Sequence, residues 1–198
     1  LKPDLKGISL LPKAIAAARE GDDALLRFMV DVFEKEGFEV IGADQAAGSL
    51  LVPAGLFAGP GPTDTQLGDL KKAAHIASQM GQLDIGQGAI VANGLVLCVE
   101  AQEGTDEMLR RCAELPFQIR GSKEAPLGVL VKRPKPQQER RIDLPTIGLA
   151  TIEGAAEAGL AGIGFEANGA LLLNADALRE RAEQLGLFLY GFPEDWDR

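Results

Sequence analysis

Apolar positions recur along this chain at two spacings, and the changes between them mark out the elements. Over Leu1–Glu20, Leu10, Leu11, Ile15 and Ala18 fall at helical intervals, and Gly21 closes the run. Asp22 or Asp23 is placed to cap a second helix, Ala24–Glu36, with Leu25, Leu26, Met29, Val32 and Phe33 on one face. Gly37 reads as a left-handed stop and Phe38–Gly42 as a short strand. Helix, glycine and strand make half of an α/β unit, so a partial, Rossmann-like N-terminal α/β domain is expected. Its other strands would lie ahead of Leu1, and the opening Leu1-Lys2-Pro3 without methionine fits a missing front part. Residues 43–65 hold Gly48, Pro53, Gly55, Gly59, Pro60, Gly61 and Pro62 among Leu50, Leu51, Val52, Leu56 and Phe57. That mixture is too broken for a helix and too apolar for a free linker, so it is expected to wrap a surface or line an apolar groove. The domain boundary is placed near Gly61, giving 1–61 and 62–198.

In the second part, Thr63-Asp64-Thr65-Gln66 is a capped start for a helix over Leu67–Met80, ended by Gly81. Gly86–Glu100 predicts a β-hairpin turning at Asn93-Gly94, where both central residues need positive φ. A helix over Glu107–Leu115 follows, with Thr105 or Asp106 as its cap. Leu127–Lys132 reads as a buried strand, and Thr146 as the cap of a helix over Leu149–Ala158. Ala161–Leu173 predicts a second hairpin at Asn168-Gly169, then a helix over Ala177–Gln184 capped by Asn174 or Asp176, and a closing strand over Leu187–Tyr190. The twice-used plan of strand, Asn-Gly, strand and helix admits an internal duplication. The fold class is α/β in the mixed α+β sense: a C-terminal mixed-sheet domain with antiparallel hairpins.

Composition narrows the function classes. Hydrophobic residues make up 46% of the 198, enough for a packed core. A net charge of −9 argues against nucleic acid as the partner. Cys98 and Cys112 lack metal-ligand spacing and read as small core residues of a reducing, cytoplasmic setting. No apolar run approaches a membrane span. His75 has no partner at metal spacing and is given no role.

Against that acidic background, Lys132–Gly148 (KRPKPQQERRIDLPTIG) stands out. It carries Lys132, Arg133, Lys135, Arg140 and Arg141 on a proline-stiffened loop with Asp143 beside them. Cations hold phosphate oxygens, and a neighbouring acid holds a metal or orients water. A phosphate-bearing ligand explains the run; a solvated charged loop is the alternative. Glu100, Glu103 and Asp106 cluster on the turn before the 107–115 helix, where Gly104 precedes a helix start that offers N–H groups to an anion. If the strands are neighbours, acids and cations face one cleft suited to Mg²⁺-assisted attack on phosphorus. Otherwise Asp106 only caps, Glu103 only pairs with a cation and Asp143 only fixes the loop. No P-loop, GxSxG or strand-to-helix GxGxxG is present.

VEAQEGTDEM (99–108), GVLVK (128–132), DLPTIG (143–148) and AGLAG (158–162) closely resemble the LpxI family of UDP-2,3-diacylglucosamine pyrophosphatases of lipid A biosynthesis. GDDALL (21–26) and GFEVIGA (37–43) resemble that family's N-terminal domain. The resemblance implies two domains with the glycolipid between them, and hydrolysis to UMP and 2,3-diacylglucosamine 1-phosphate (lipid X). It implies a divalent metal, usually Mg²⁺, and an essential aspartate at Asp143. On this reading Glu100, Glu103, Asp106 and Asp143 are candidate metal ligands. Gly104, Thr105, Lys132, Lys135, Arg141 and Thr146 are candidate substrate contacts, with Arg133 and Arg140 solvated. The connector Leu50–Phe57 would help wall the acyl chains, and contact with the inner membrane leaflet would be peripheral and transient. A homodimer is left open. The rival readings are a non-catalytic carrier of acylated sugar phosphates or nucleotide-sugars, which needs no metal, and a scaffold domain docking an acidic partner.

Overall fold

The computed structural model describes residues 5–42, 45–46, 51 and 54–196. Two helices open the chain, α1 (Leu5–Glu20) and α2 (Asp22–Lys35). A short strand β1 (Gly55–Ala58) and a long helix α3 (Asp64–Gln82) follow. Then come β2 (Gly88–Ala92), β3 (Leu95–Val99), α4 (Gly104–Ala113), the single turn α5 (Phe117–Arg120) and β4 (Val129–Lys132). The chain finishes with β5 (Thr146–Ile147), α6 (Leu149–Glu157), β6 (Gly162–Glu166), β7 (Leu171–Leu172), α7 (Ala175–Leu185) and β8 (Phe188–Phe192).

Six strands form one mixed sheet in the order β1-β8-β6-β4-β2-β3. Its centre, β8-β6-β4, is parallel, and β1, β2 and β3 join antiparallel. The alternation of side chains sorts the core into two layers. Ile90, Leu130, Ile163 and Leu189 face α4, α6 and α7, meeting Met108, Leu109, Ile152, Ala155 and Leu178. Val91, Val129, Val131 and Phe192 face α3, where Ala73, Ala74 and Ala77 let the helix lie close. β4 is buried along its whole length, as a central parallel strand covered on both faces must be.

The first hairpin forms as expected: Asn93 has φ 48° and Gly94 φ 77°, and β2 pairs with β3. Thr63 caps α3 reciprocally with Gln66. Several expectations fail for identifiable reasons. The second hairpin does not close, because both edges of β6 are already taken by β4 and β8. Past the turn at Asn168, β7 pairs instead with β5, so the supposed duplication dissolves. Phe38–Gly42 is not a strand; among the described residues no strand pairs with it, and Phe38 lies exposed, edge-on to Phe33. No strand therefore accompanies α1 and α2 among the described residues, and the Rossmann-like part of the expectation is not seen.

The connector contributes β1 at the sheet edge, with Phe57 packed on the core and under the Arg179 guanidinium, and Leu56 exposed. Leu50, Val52 and Pro53 lie outside the described residues. Helix α3 runs past Gly81, which packs against Lys135 and Pro136. The proposed caps are also displaced. Gly21 stands at the start of α2 and Glu103 at that of α4, neither with a side-chain cap bond, so Thr105 and Asp106 sit inside the first turn of α4. Gly148 rather than Thr146 precedes α6, again without a side-chain cap bond. Asn174 precedes α7 in a left-handed conformation that leaves its side chain uncapping.

Candidate active site

The parallel strands β4, β6 and β8 end at one rim, and β2 begins and β3 ends there too. Carboxyl ends of parallel strands are where open α/β sheets hold their ligands. Lys132, Arg133, Glu166 and Glu100 all lie on this rim, and residues 133–145 fold over it. Because successive residues of a strand point to opposite faces, Lys132 and Arg133 part company. The candidate residues consequently form two groups rather than one.

On the α4 side, Glu100 is buried and accepts a hydrogen bond from the Thr105 hydroxyl at 3.0 Å. Its other oxygen, Oε2, is buried without a hydrogen bond. Lys132, also buried, donates from Nζ to the Thr146 carbonyl at 3.2 Å and so ties β4 to the segment carrying Asp143. Burial pushes the Lys132 ammonium below its ordinary range, with Glu100 and then Asp106 pulling the other way. The Thr146 hydroxyl donates to the Leu144 carbonyl. Gly104, at φ 79°, spends its N–H on the Ala101 carbonyl. Glu103 turns aside to Arg111 at 2.5 Å, and Asp106 stands exposed on α4.

On the α3 side, Lys135 Nζ bonds Asp84 Oδ1 at 2.7 Å and approaches Asp23 Oδ2 at 3.5 Å. Asp23 is 3% exposed, and that Oδ2 makes no hydrogen bond. Burial raises the Asp23 carboxyl above its usual range; Lys135 opposes this, and the charges of Asp84 and Asp143 add to it. Asp143, half-buried, is near enough for its charge to act on Asp23, and its backbone N–H donates to the Glu139 carbonyl. Arg141 is committed to Glu139 at 2.8 Å and Glu34 at 2.5 Å. Arg133 and Arg140, expected in solvent, converge on Glu166 instead. Glu166 is 1% exposed; Arg133 bonds its Oε2 at 3.0 Å, and Arg140 pairs with its Oε1 at 2.9 Å at an angle outside a hydrogen bond. Arg140, Arg133, His75, Gln79 and Glu194 line a cavity of about 470 Å³ beside them.

The LpxI C-terminal domain model matches residues 53–190, and the LpxI N-terminal domain model matches residues 1–50. UDP-2,3-diacylglucosamine pyrophosphatase LpxI of Caulobacter vibrioides (strain ATCC 19089 / CIP 103742 / CB 15) is 55% identical over 191 residues, which cover 96% of this chain and 68% of that protein. This chain belongs to the LpxI family.

For an LpxI protein a divalent cation is implied, and the four acids named for it do not share a centre. Glu103 is paired with Arg111, Glu100 belongs to the α4 side and Asp143 to the α3 side. Among the described residues, no three His, Cys, Asp or Glu side chains are grouped to hold a metal. Sequence reasoning missed Asp23 and Asp84 at this LpxI rim. Asp23 looked like a helix cap, and the only signal for Asp84 was an acid set between Leu83 and Ile85. Glu166 was similarly marked by its place at the end of an apolar strand.

Proposed function

We propose that this chain hydrolyses the pyrophosphate bond of UDP-2,3-diacylglucosamine, releasing UMP and 2,3-diacylglucosamine 1-phosphate. The observation that carries the reading is Asp143: it stands in the DLPTIG segment, half-buried, on the same rim-covering loop as Lys135. The pyrophosphatase activity for which the 55%-identical relative is named supports it. In this reading the Asp143 carboxylate orients a water and takes its proton as the new P–O bond forms. The P–O bond to the bridging oxygen breaks, and the second phosphate leaves with the electron pair.

Lys135 has three N–H donors, so its bond to Asp84 leaves donors for a phosphate oxygen. Lys132, buried and bound to the Thr146 carbonyl, serves as a strut for the loop. The acyl chains need apolar surface, and the helical pair exposes Ile8, Leu11, Ile15, Met29 and Phe33. No helix among the described residues is long and apolar enough to cross a membrane, so peripheral contact through such surface is part of the proposal. A divalent-cation requirement is included on the strength of the family resemblance.

The test is release of UMP from UDP-2,3-diacylglucosamine with Mg²⁺ and with EDTA. Asp143→Ala should lower release by about 10²–10⁴-fold, the span of general-base contributions, with the melting temperature held. Undiminished turnover in that variant would reject the assigned role. Substrate binding with no UMP formed under either condition would favour the non-catalytic carrier.

A further inference from the structure

Lys135 is gripped from two directions. Asp84 follows α3, and Asp23 lies in the first turn of α2, far away in sequence. The fit is built closely. Gly21 has φ +132°, and a Cβ there would stand 2.4 Å from the Asp84 carboxylate. A side chain there would be strained at this φ and would push the Asp84 carboxylate aside. Gly81 admits the Lys135 backbone in the same way: an added Cβ would meet its Cα at 3.2 Å. The loop is fixed again where the Lys135 N–H donates to Gln138 at 2.8 Å and Gln137 donates to the Gly81 carbonyl at 2.7 Å.

We propose that Asp84 and Asp23 are positioning residues for the hydrolysis, holding the Lys135 ammonium fixed on the loop that carries Asp143 so that it meets the diphosphate already aimed. This rests on the functional reading above and names two residues to which nothing so far gave a role in the reaction. A free lysine has four rotatable side-chain bonds and loses rotamer freedom when fixed. The two carboxylates make that loss part of folding rather than part of substrate binding. Two acids around one lysine leave the group net negative. Ion pairing within the protein is therefore not satisfied by the lysine alone: Asp23 Oδ2 keeps no hydrogen bond although it is buried. Because Asp23 comes from the helical pair and Asp84 from the sheet domain, the arrangement makes docking of the two parts a condition for an aimed ammonium.

A double-mutant cycle decides it, reading kcat and KM for UMP release together with melting temperature. Lys135→Met should cost about 100-fold in kcat/KM, the scale of a misplaced group at a reacting centre. Asp84→Asn and Asp23→Asn should each cost about tenfold in the wild-type background. In the Lys135→Met background each should cost no more than about twofold, because the lysine they act through is gone. Asp84→Glu, which keeps the charge, should recover part of the loss. Equal tenfold losses in both backgrounds, or carboxamide variants with unchanged kinetics, would overturn the proposal. If Asp84→Asn fails to fold, the Asp23→Asn arm of the cycle decides alone. A wild-type protein that releases no UMP would instead reject the hydrolase reading, a result distinct from additivity.

Discussion

Glu166 shows how much a single buried residue decides at the rim. It ends β6 with 1% exposure, and its carboxylate is the shared partner of Arg133 and Arg140. Arg133 is itself buried and also donates to the Ala74 and Glu194 carbonyls. An ion pair of this kind adds little net stability over an apolar substitute, yet removing one partner leaves a charge uncompensated in the interior. Glu166→Ala is expected to destabilise the protein by about 3–5 kcal/mol, measured by urea unfolding. A loss below about 1 kcal/mol would mean that water or Glu194 takes over the carboxylate's role. The sequence made all five cations of the basic loop visible but could not say which were solvated. Charge type is local information; whether Arg133 points into the sheet depends on which face the strand register assigns it. That register put Arg133 on the α3 face and Lys132 on the α4 face, and no spacing rule along a loop reports it.

At the scale of elements, legibility followed how local the cause was. The hairpin at Asn93-Gly94 was readable because its turn chemistry lies in two residues. The turn at Asn168 carries the same dipeptide, but pairing there was decided by β4 and β8, strands distant in sequence. Even the first hairpin has a non-local support. Asp69 of α3, buried, accepts from the backbone N–H of Asn93 at 2.8 Å and of Gly94 at 2.7 Å, and so fixes the turn to the helix. Lys72, one helical turn on, donates to the Gly94 carbonyl at 2.5 Å. Charged hydrogen bonds of this type contribute about 1.5–3 kcal/mol each when water cannot replace them. Here the turn is exposed, so water takes over part of the work. Asp69→Ala is expected to cost about 1–2 kcal/mol in chemical denaturation and to leave α3 helical by circular dichroism. A neutral substitution would show that the turn residues hold the hairpin unaided.

For the whole molecule, the question is how the helical pair stays on the sheet domain when so few apolar groups join them. α1 and α2 leave Ile8, Leu11, Ile15, Met29 and Phe33 exposed, so their apolar faces do little of the attaching. Polar links join the two parts: Arg27 donates to the Gln137 carbonyl at 2.7 Å, Arg141 pairs with Glu34, and Asp23 approaches Lys135. All three run to the basic loop. The same loop that carries Asp143 is thus the mechanical joint between the two parts. Pairs as exposed as Arg141–Glu34 contribute little and weaken as salt is raised. Arg141→Ala should therefore leave the global unfolding transition nearly unchanged while amide hydrogen exchange rises across α2 and the 133–143 loop. The sheet, held by two apolar layers, should keep its protection, because local opening follows the local contacts rather than the total. Raising the ionic strength of the wild-type protein should reproduce the pattern in part. Exchange in β4 and β6 rising as much as in α2 would mean that the loop is continuous with the core and that the joint does not open on its own.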